Sequence, residues 1–382
     1  MNIKHKKPRF SPEQKLLLEL TAACATGPER QNKIKSALNI DWNYFLRLTK
    51  ELKAAPCCYL GTQHHGLRFN LPDKIINLFK QLYMVNTLRN LQLLSYLTLI
   101  CRELKKENIR IIPLKGPLLS ERIFGRIGAK VCDDLDILIR KPEYVNVKKT
   151  LYRIGFKNIP GFYSESFIMD FLRHRAFFHP KLPDAAYFHL EVHWNFYTQY
   201  TQAYAMESVW RTAVLQDHNQ EKYLELSPPH MLLHMAISLR VHGFHEFRKF
   251  IDLNGVLRKY HKILNWNEVI RLAVKNKQRL ALYLALHYAQ LLFDSPVPAH
   301  VFTRLKSGRL QITAIRILVK PESIVSCSKK EKKILFSDVI NFMSADSFGD
   351  ALKIVFKTVI AFPVSMRARY KFRQPGLFKD RG

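Results

Sequence analysis

The residues best suited to chemistry cluster in one stretch, IPLKGPLLSERIFGRIGAKVCDDLDILI, residues 112–139. Asp134 and Asp136 flank Leu135 inside an apolar run. In a strand, side chains alternate faces, so these two carboxylates share one face and Leu135 and Ile137 the other. Adjacent carboxylates repel unless a positive charge lies between them, and a hard divalent cation such as Mg²⁺ answers that need. Upstream, Lys115-Gly116 ends an apolar run and opens a helical segment, an arrangement that can seat a phosphate. Downstream, YFHLEVHW (187–194) alternates cleanly and puts His189, Glu191 and His193 on one face. Three carboxylates, Asp134, Asp136 and Glu191, with a Lys-Gly turn are the set that metal-dependent transfer from a nucleoside triphosphate requires. One or two Mg²⁺ ions would bridge carboxylates and triphosphate, and Glu191 would be a third ligand or the base for the acceptor's proton. Asp133 faces away from Asp134 and is expected to support the turn.

These residues need elements to hold them. Ile109 to Leu114 reads as a buried strand, Pro117 to Phe124 as a helix with Pro near its start, and Leu135 to Ile139 as a second strand. Pro142 to Ile154 reads as a helix ended by Gly155, Ala176 to His179 as a short strand, and Tyr187 to Trp194 as a longer one. Before this core the chain is helical. Ser11-Pro12-Glu13-Gln14 is a capping-box pattern, Asp41 is placed to cap WNYFLRLTKEL, and Asp73 to cap a long helix reaching Lys106. After it, Ser227-Pro228 is placed to cap LLHMAISLRV and Asn265 to cap WNEVIRLAVKN. Leu280 to Phe293 is an apolar helix closed by Asp294 to Pro298. DWNYFLRL and NWNEVIRL read as one capped-helix solution used twice rather than as a duplication. Short helices are expected past residue 305 and a frayed end after Gln374. The fold class is therefore α+β, a small mixed sheet in a mostly helical chain. The expected organisation is 1–106 helical, 107–200 the α+β core, 201–305 helical, and 306–382 a basic C-terminal region.

Composition sets bounds. The 382 residues are 47% hydrophobic, which suits a globular chain with a substantial core, and carry a formal net charge of +30. Such a charge attracts nucleotides, nucleic acid or a peripheral anionic surface, and a solvated lysine surface explains it equally well. It is spread in short runs: Lys4 to Arg9, Lys105-Lys106, Lys329-Lys330 with Lys332-Lys333, and Arg367 to Arg373. No RGG tract, zinc-finger spacing or RNP-type aromatic stripe is present. The best apolar run, Leu91 to Cys101, is shorter than the roughly 18 residues a transmembrane segment needs and is flanked by Arg89 and Arg102. The start, MNIKHKKPRF, leads into no apolar segment of a secretory signal. Six cysteines without a CxxC suit reduced thiols, so a cytoplasmic location is expected, and Cys57-Cys58 is expected to be a pair of partly buried small residues.

With these residues in view, the chain resembles the uncharacterised nucleotidyltransferase family of the DNA polymerase β-like nucleotidyltransferase superfamily. The resemblance is carried by Leu114-Lys115-Gly116, by Asp134-Leu135-Asp136-Ile137-Leu138, and by Glu191-Val192-His193-Trp194. LSPPHMLLHMAISLRVHGFHEFRKFIDL (226–253) and the tail AFPVSMRARY (361–370) extend it over most of residues 10–370. It implies a sheet of the polymerase β-like type. The implied activity is Mg²⁺-dependent transfer of a nucleoside monophosphate from an NTP to an acceptor, with pyrophosphate released. It implies Asp134, Asp136 and Glu191 as catalytic and metal-binding residues, and Lys115, Gly116, Arg126, Lys130 and His193 as substrate-binding. His234, His242, Lys249 and Asp252 would line the cleft from the helical side. His189 is expected in solvent. His230 and His234 are spaced for a metal but lack the intervening Glu of a zincin, so a core or helix-end role is expected. Two departures stand out. Pro117 occupies the place of the superfamily's usual Ser, and Lys130 stands where the family tends to carry Arg, so Arg126 is a candidate for the triphosphate contact. The acceptor is unknown: a small molecule, RNA or a protein. A non-catalytic nucleotide- or nucleic-acid-binding protein of the same fold, and a toxin-like transferase acting on tRNA or protein, are the alternatives.

Overall fold

The computed structural model describes residues 8–26, 39–63, 71–159, 172–180, 189–196, 204–218, 221–306 and 308–327, isolated positions between 165 and 169, and most of 337–352. Lys4 to Lys7, the lysines at 329–333, the tail segment 361–370 and the residues after Gln374 lie outside that description.

Four helices lead in: α1 (Pro12–Thr26), α2 (Trp42–Glu51), α3 (Ala55–Gln63) and the long α4 (Asp73–Lys106). The core follows as β1 (Ile112–Pro113), α5 (Pro117–Phe124), β2 (Asp134–Leu138), α6 (Tyr144–Arg153), β3 (Lys157–Asn158), β4 (His174–Phe178) and β5 (His189–His193). Then come α7 (Met206–Thr212), the hairpin β6 (Val214–His218) and β7 (Glu221–Glu225), α8 (Pro228–Val241), α9 (Phe247–Tyr260), α10 (Trp266–Lys275) and α11 (Arg279–Phe293). Short helices α12 (Ala299–Leu305), α13 (Arg309–Leu318) and α14 (Pro321–Ile324) follow.

The main sheet has the order β1-β2-β5-β4-β3, with β2 and β5 parallel and every other pair antiparallel. Its apolar face (Leu135, Ile137, Leu190, Val192 and Phe177) is buried with Leu97, Ile100 and Leu104 of α4 and Val147 and Leu151 of α6. Each such side chain contributes about 1.5–3 kcal/mol by leaving water, which fixes the register that turns the aspartates to the opposite face. A second core joins Leu17 of α1, Phe45 of α2 and Cys58 of α3 to Leu232 of α8, Phe250 and Leu253 of α9, and Leu282 of α11. The helices on either side of the α+β segment therefore share one apolar interior.

Capping largely follows the sequence. Gln14 N–H donates to Ser11 Oγ while Ser11 N–H donates to Gln14 Oε1, the reciprocal capping box. Asp41 accepts from Tyr44 N–H at 3.0 Å and Asn265 from Glu268 N–H at 3.1 Å, so the two look-alike segments do share one capped start. Asp73 is instead the first helical residue behind Pro72, and Ser227 makes no side-chain cap bond. β1 is only two residues long, and Leu114 N–H adds one further bond to the Asp136 carbonyl beyond it. β2 starts one residue earlier than expected, at Asp134, and β4 two residues earlier, at His174. The helix after Arg140 opens with a 3₁₀ turn, Lys141–Glu143. All six cysteines are free thiols, with Cys57 and Cys58 buried. No helix among the described residues is long and apolar enough to cross a membrane.

Candidate active site

The turn after β1 sets the first cation. Leu114 N–H donates to the Asp136 carbonyl at 2.9 Å, so Lys115 emerges beside β2. Gly116 then takes φ 97° and ψ −156°, a backbone shape that strains any residue with a Cβ. A Cβ there would meet Leu135 Cδ2 at 3.6 Å, an ordinary contact, so backbone conformation rather than space selects glycine. α5 begins at Pro117, which has no N–H, so the helix start offers an anion one donor fewer.

Parallel pairing of β2 with β5 sets Asp134 beside His189, Asp136 beside Glu191, and Leu138 beside His193. Asp134, Asp136 and Glu191 each bring a carboxylate oxygen within 4.8 Å of the others. Asp136 is buried and held on both sides: Lys115 Nζ lies 2.7 Å from Oδ2, and His193 Nε2 lies 2.9 Å from Oδ1. His193 also reaches Glu191 at 3.1 Å, Lys115 reaches Asp134 at 3.8 Å, and His174 lies 3.7 Å from Glu191.

Charge follows this geometry. Burial opposes ionisation of Asp136, but Lys115 and His193 outweigh it and hold the carboxyl well below its usual range. Burial likewise opposes Glu191, yet its bond to His193 and the nearby His174 bring it down to about 2. Asp134 goes the other way, raised by burial and by Asp136. Burial disfavours the Lys115 charge, and Asp136, Asp134 and Glu191 together more than restore it. His193 is raised against burial by its bonds to Asp136 and Glu191, whereas burial pushes His174 down to about 3. The pair His193–Asp136 gives a pH signature. A histidine raised in the folded state stabilises fully below its ordinary value of about 6.5 and ceases to as pH climbs through the raised value. Metal-free protein is expected to lose urea resistance as pH rises above about 6.5, and His193→Gln to flatten that dependence. Equal slopes for both proteins would contradict the pairing.

A cavity opens between this edge and the helices behind it. Lys115, Gly116, Lys130, Asp133 and Asp134 line it from the core, and His234, Ser238, Arg248, Lys249 and Asp252 from α8 and α9. Its cations are paired. Lys130 contacts Asp252, Arg248 Nη1 donates to Asp133 at 2.6 Å, and Asp133 also meets Lys53. Lys249 lies 3.1 Å from Glu246, which also holds His242 at 3.1 Å. Burial and the repulsion of Lys115 push Lys249 down to about 7, despite Glu246.

The structure brings together Lys115, Gly116, Lys130, Asp134, Asp136, Glu191 and His193. It does not bring Arg126 there: this side chain is exposed on the turn after α5, outside the cavity lining. His193, expected on substrate, lies buried within 2.9 Å of Asp136 and 3.1 Å of Glu191. His189 is half-buried rather than solvent-exposed, because β5 sets it beside Asp134. His230 is a core residue hydrogen-bonded to Tyr204 Oη at 2.7 Å. His234, Lys249 and Asp252 line the cavity as expected, while His242 supports Glu246 outside it.

Three contributors escaped the sequence. Arg248 carries no local sequence signal that sets it apart from the other cations of a basic chain. Asn86 and Asn90 of α4 donate to the carbonyls of Gly128, Ile127 and Lys130 at 2.6–2.9 Å, tying down the loop that leads to Asp134. Their signal was two Asn at i, i+4 spacing on an otherwise apolar helix face. Asn90→Leu is expected to destabilise the protein by about 1–3 kcal/mol by orphaning buried carbonyls, measured by urea unfolding. A change inside error would remove Asn90 as an anchor.

The donor set suits a hard cation: three carboxylates on one face, two of them in contact with His193. Neighbouring ligands about Mg²⁺ stand about 3 Å apart, so the three carboxylates would draw together around the ion. Comparison with curated proteins and with solved structures gives no match. A family model described as uncharacterised nucleotidyltransferase matches residues 39–294, which takes in every residue of this site.

Proposed function

The chain belongs to the uncharacterised nucleotidyltransferase family, and from that premise we propose that it moves a nucleoside monophosphate from Mg²⁺-bound NTP to an acceptor hydroxyl or phosphate. The observation that carries this reading is the register that puts Asp136 beside Glu191 with Asp134 on the same face. Asp134, Asp136 and Glu191 would hold Mg²⁺. When bound, the metal neutralises triphosphate charge and positions the attacking oxygen. The acceptor oxygen bonds to the α-phosphorus and gives up its proton to solvent, the α–β bridge breaks, and pyrophosphate leaves with the electron pair. Lys115 turns from Asp136 to the phosphates, and His193 keeps Asp136 and Glu191 oriented as it does so. Glu191 acts as the third ligand of that cation.

The test is incubation with each α-labelled NTP and Mg²⁺ against separated small-molecule, RNA and protein fractions of a cell extract. Label is expected in one fraction, and Asp134→Asn is expected to abolish it. Binding of NTP with no label transferred from any of the four would make the chain a non-catalytic nucleotide binder. Label in RNA or protein would identify a macromolecular acceptor.

A further inference from the structure

Four cations face the cavity, and the acids that hold them separate them into two kinds. Lys130 meets Asp252, a buried carboxylate that has no other ion-pair partner among the described residues. Withdrawing Lys130 would strand that charge, at a cost large enough to keep the pair closed. Arg248 and Lys249 differ. Asp133 holds Arg248 but also Lys53, and Glu246 holds Lys249 but also His242. Each acid keeps a partner when its cavity-facing cation turns away. A guanidinium has five N–H donors and an ammonium three, so each can also add an anion without leaving its acid. Lys115 follows the same rule, since Asp136 keeps His193.

The need for such donors is visible at α5. Pro117 at the first helical position gives no N–H, and the turn is short of anion donors. Lys249 lies near enough to Lys115 for their charges to repel, and Arg248 near enough to Asp134 to attract it. Two cations thus stand across the cavity from the carboxylates, where a chain of phosphates leaving the metal would run.

We propose that Arg248 and Lys249 of α9 bind the β- and γ-phosphates of the incoming NTP, while Lys130 stays locked to Asp252 as a structural pair. This rests on the nucleotidyltransferase reading for the identity of the ligand. The lowered Lys249 supports it: a buried amine near half charge gains its full proton when a polyanion arrives.

The probe is Mg²⁺-tripolyphosphate, titrated calorimetrically into the full chain, with AMP as a ligand lacking the outer phosphates. Wild type is expected to bind tripolyphosphate. Lys249→Met and Arg248→Gln are each expected to weaken it about tenfold or more, the loss of one charge-assisted contact, and to change AMP affinity far less. Lys249→Met is also expected to unfold at the same or a higher temperature, because it removes a buried amine. Lys130→Met is expected to lower the unfolding temperature and to weaken both ligands together, if at all. No tripolyphosphate binding by wild type, unchanged binding by both α9 variants, or equal loss of AMP would overturn the proposal. Selective loss of tripolyphosphate in a protein that transfers no label would uphold it and sink the catalytic reading instead.

Discussion

Asp136→Asn is expected to abolish turnover and weaken the fold, whereas Asp134→Asn is expected to abolish turnover alone. Both remove a ligand of the cation that stabilises the transferring phosphate. Losing several kcal/mol of that stabilisation is about a thousandfold in rate. The folds respond differently because the carboxylates do. Asp136 is buried between Lys115 and His193 and is held ionised by them. Without its charge the two cations face each other with one anion fewer, a loss of about 3–5 kcal/mol for a broken buried pair. Asp134 is raised by burial and by Asp136, so its charge is a burden in metal-free protein and asparagine relieves it. Pyrophosphate release and urea unfolding in EDTA measure the two effects. Equal destabilisation by both substitutions would contradict the electrostatic asymmetry.

Lys115→Met has the next largest expected effect, and its sign depends on metal. In metal-free protein Lys115 supplies the positive charge between Asp136 and Asp134. Removing it is expected to destabilise that state by about 3–5 kcal/mol. A divalent ion would then meet no competitor. Mn²⁺ affinity without nucleotide is expected to rise at least about tenfold, since a neighbouring charge at a few ångströms outweighs 1.4 kcal/mol even in a polar site. The unfolding temperature is expected to gain more from Mn²⁺ than it does in wild type. Turnover is expected to fall about a hundredfold because one phosphate contact is gone. Weaker Mn²⁺ binding by Lys115→Met would show that the lysine does not compete for the metal position.

Much of this site was legible because strand alternation is a strict rule. Leu135 and Ile137, and Leu190 and Val192, had to face a core, and that alone put Asp134, Asp136, Glu191 and His193 on one side of the sheet. The caps at Ser11, Asp41 and Asn265 were legible for a similar reason: each is a local backbone requirement with a short list of residues that meet it. The hairpin β6–β7 was not, since VLQDH and EKYLE are polar, partly exposed strands whose pairing depends on packing elsewhere. β3 has two residues and no pattern to read. Arg248 is invisible in sequence because its importance comes from α9 lying across the cavity, a tertiary fact. Arg126 illustrates the reverse case: nearness in sequence to the aspartates suggested a role, but this residue is exposed on the turn after α5 and does not line the cavity.

The most direct measurement is anomalous diffraction from crystals grown with Mn²⁺ and a nucleotide whose α–β bridge cannot be cleaved. The expected result is a manganese peak ligated by Asp134, Asp136 and Glu191, with Lys115 moved onto a phosphate and His193 still on Asp136. A nucleotide bound with its phosphates away from these carboxylates, or manganese bound elsewhere with Lys115 still closed on Asp136, would contradict the proposed chemistry.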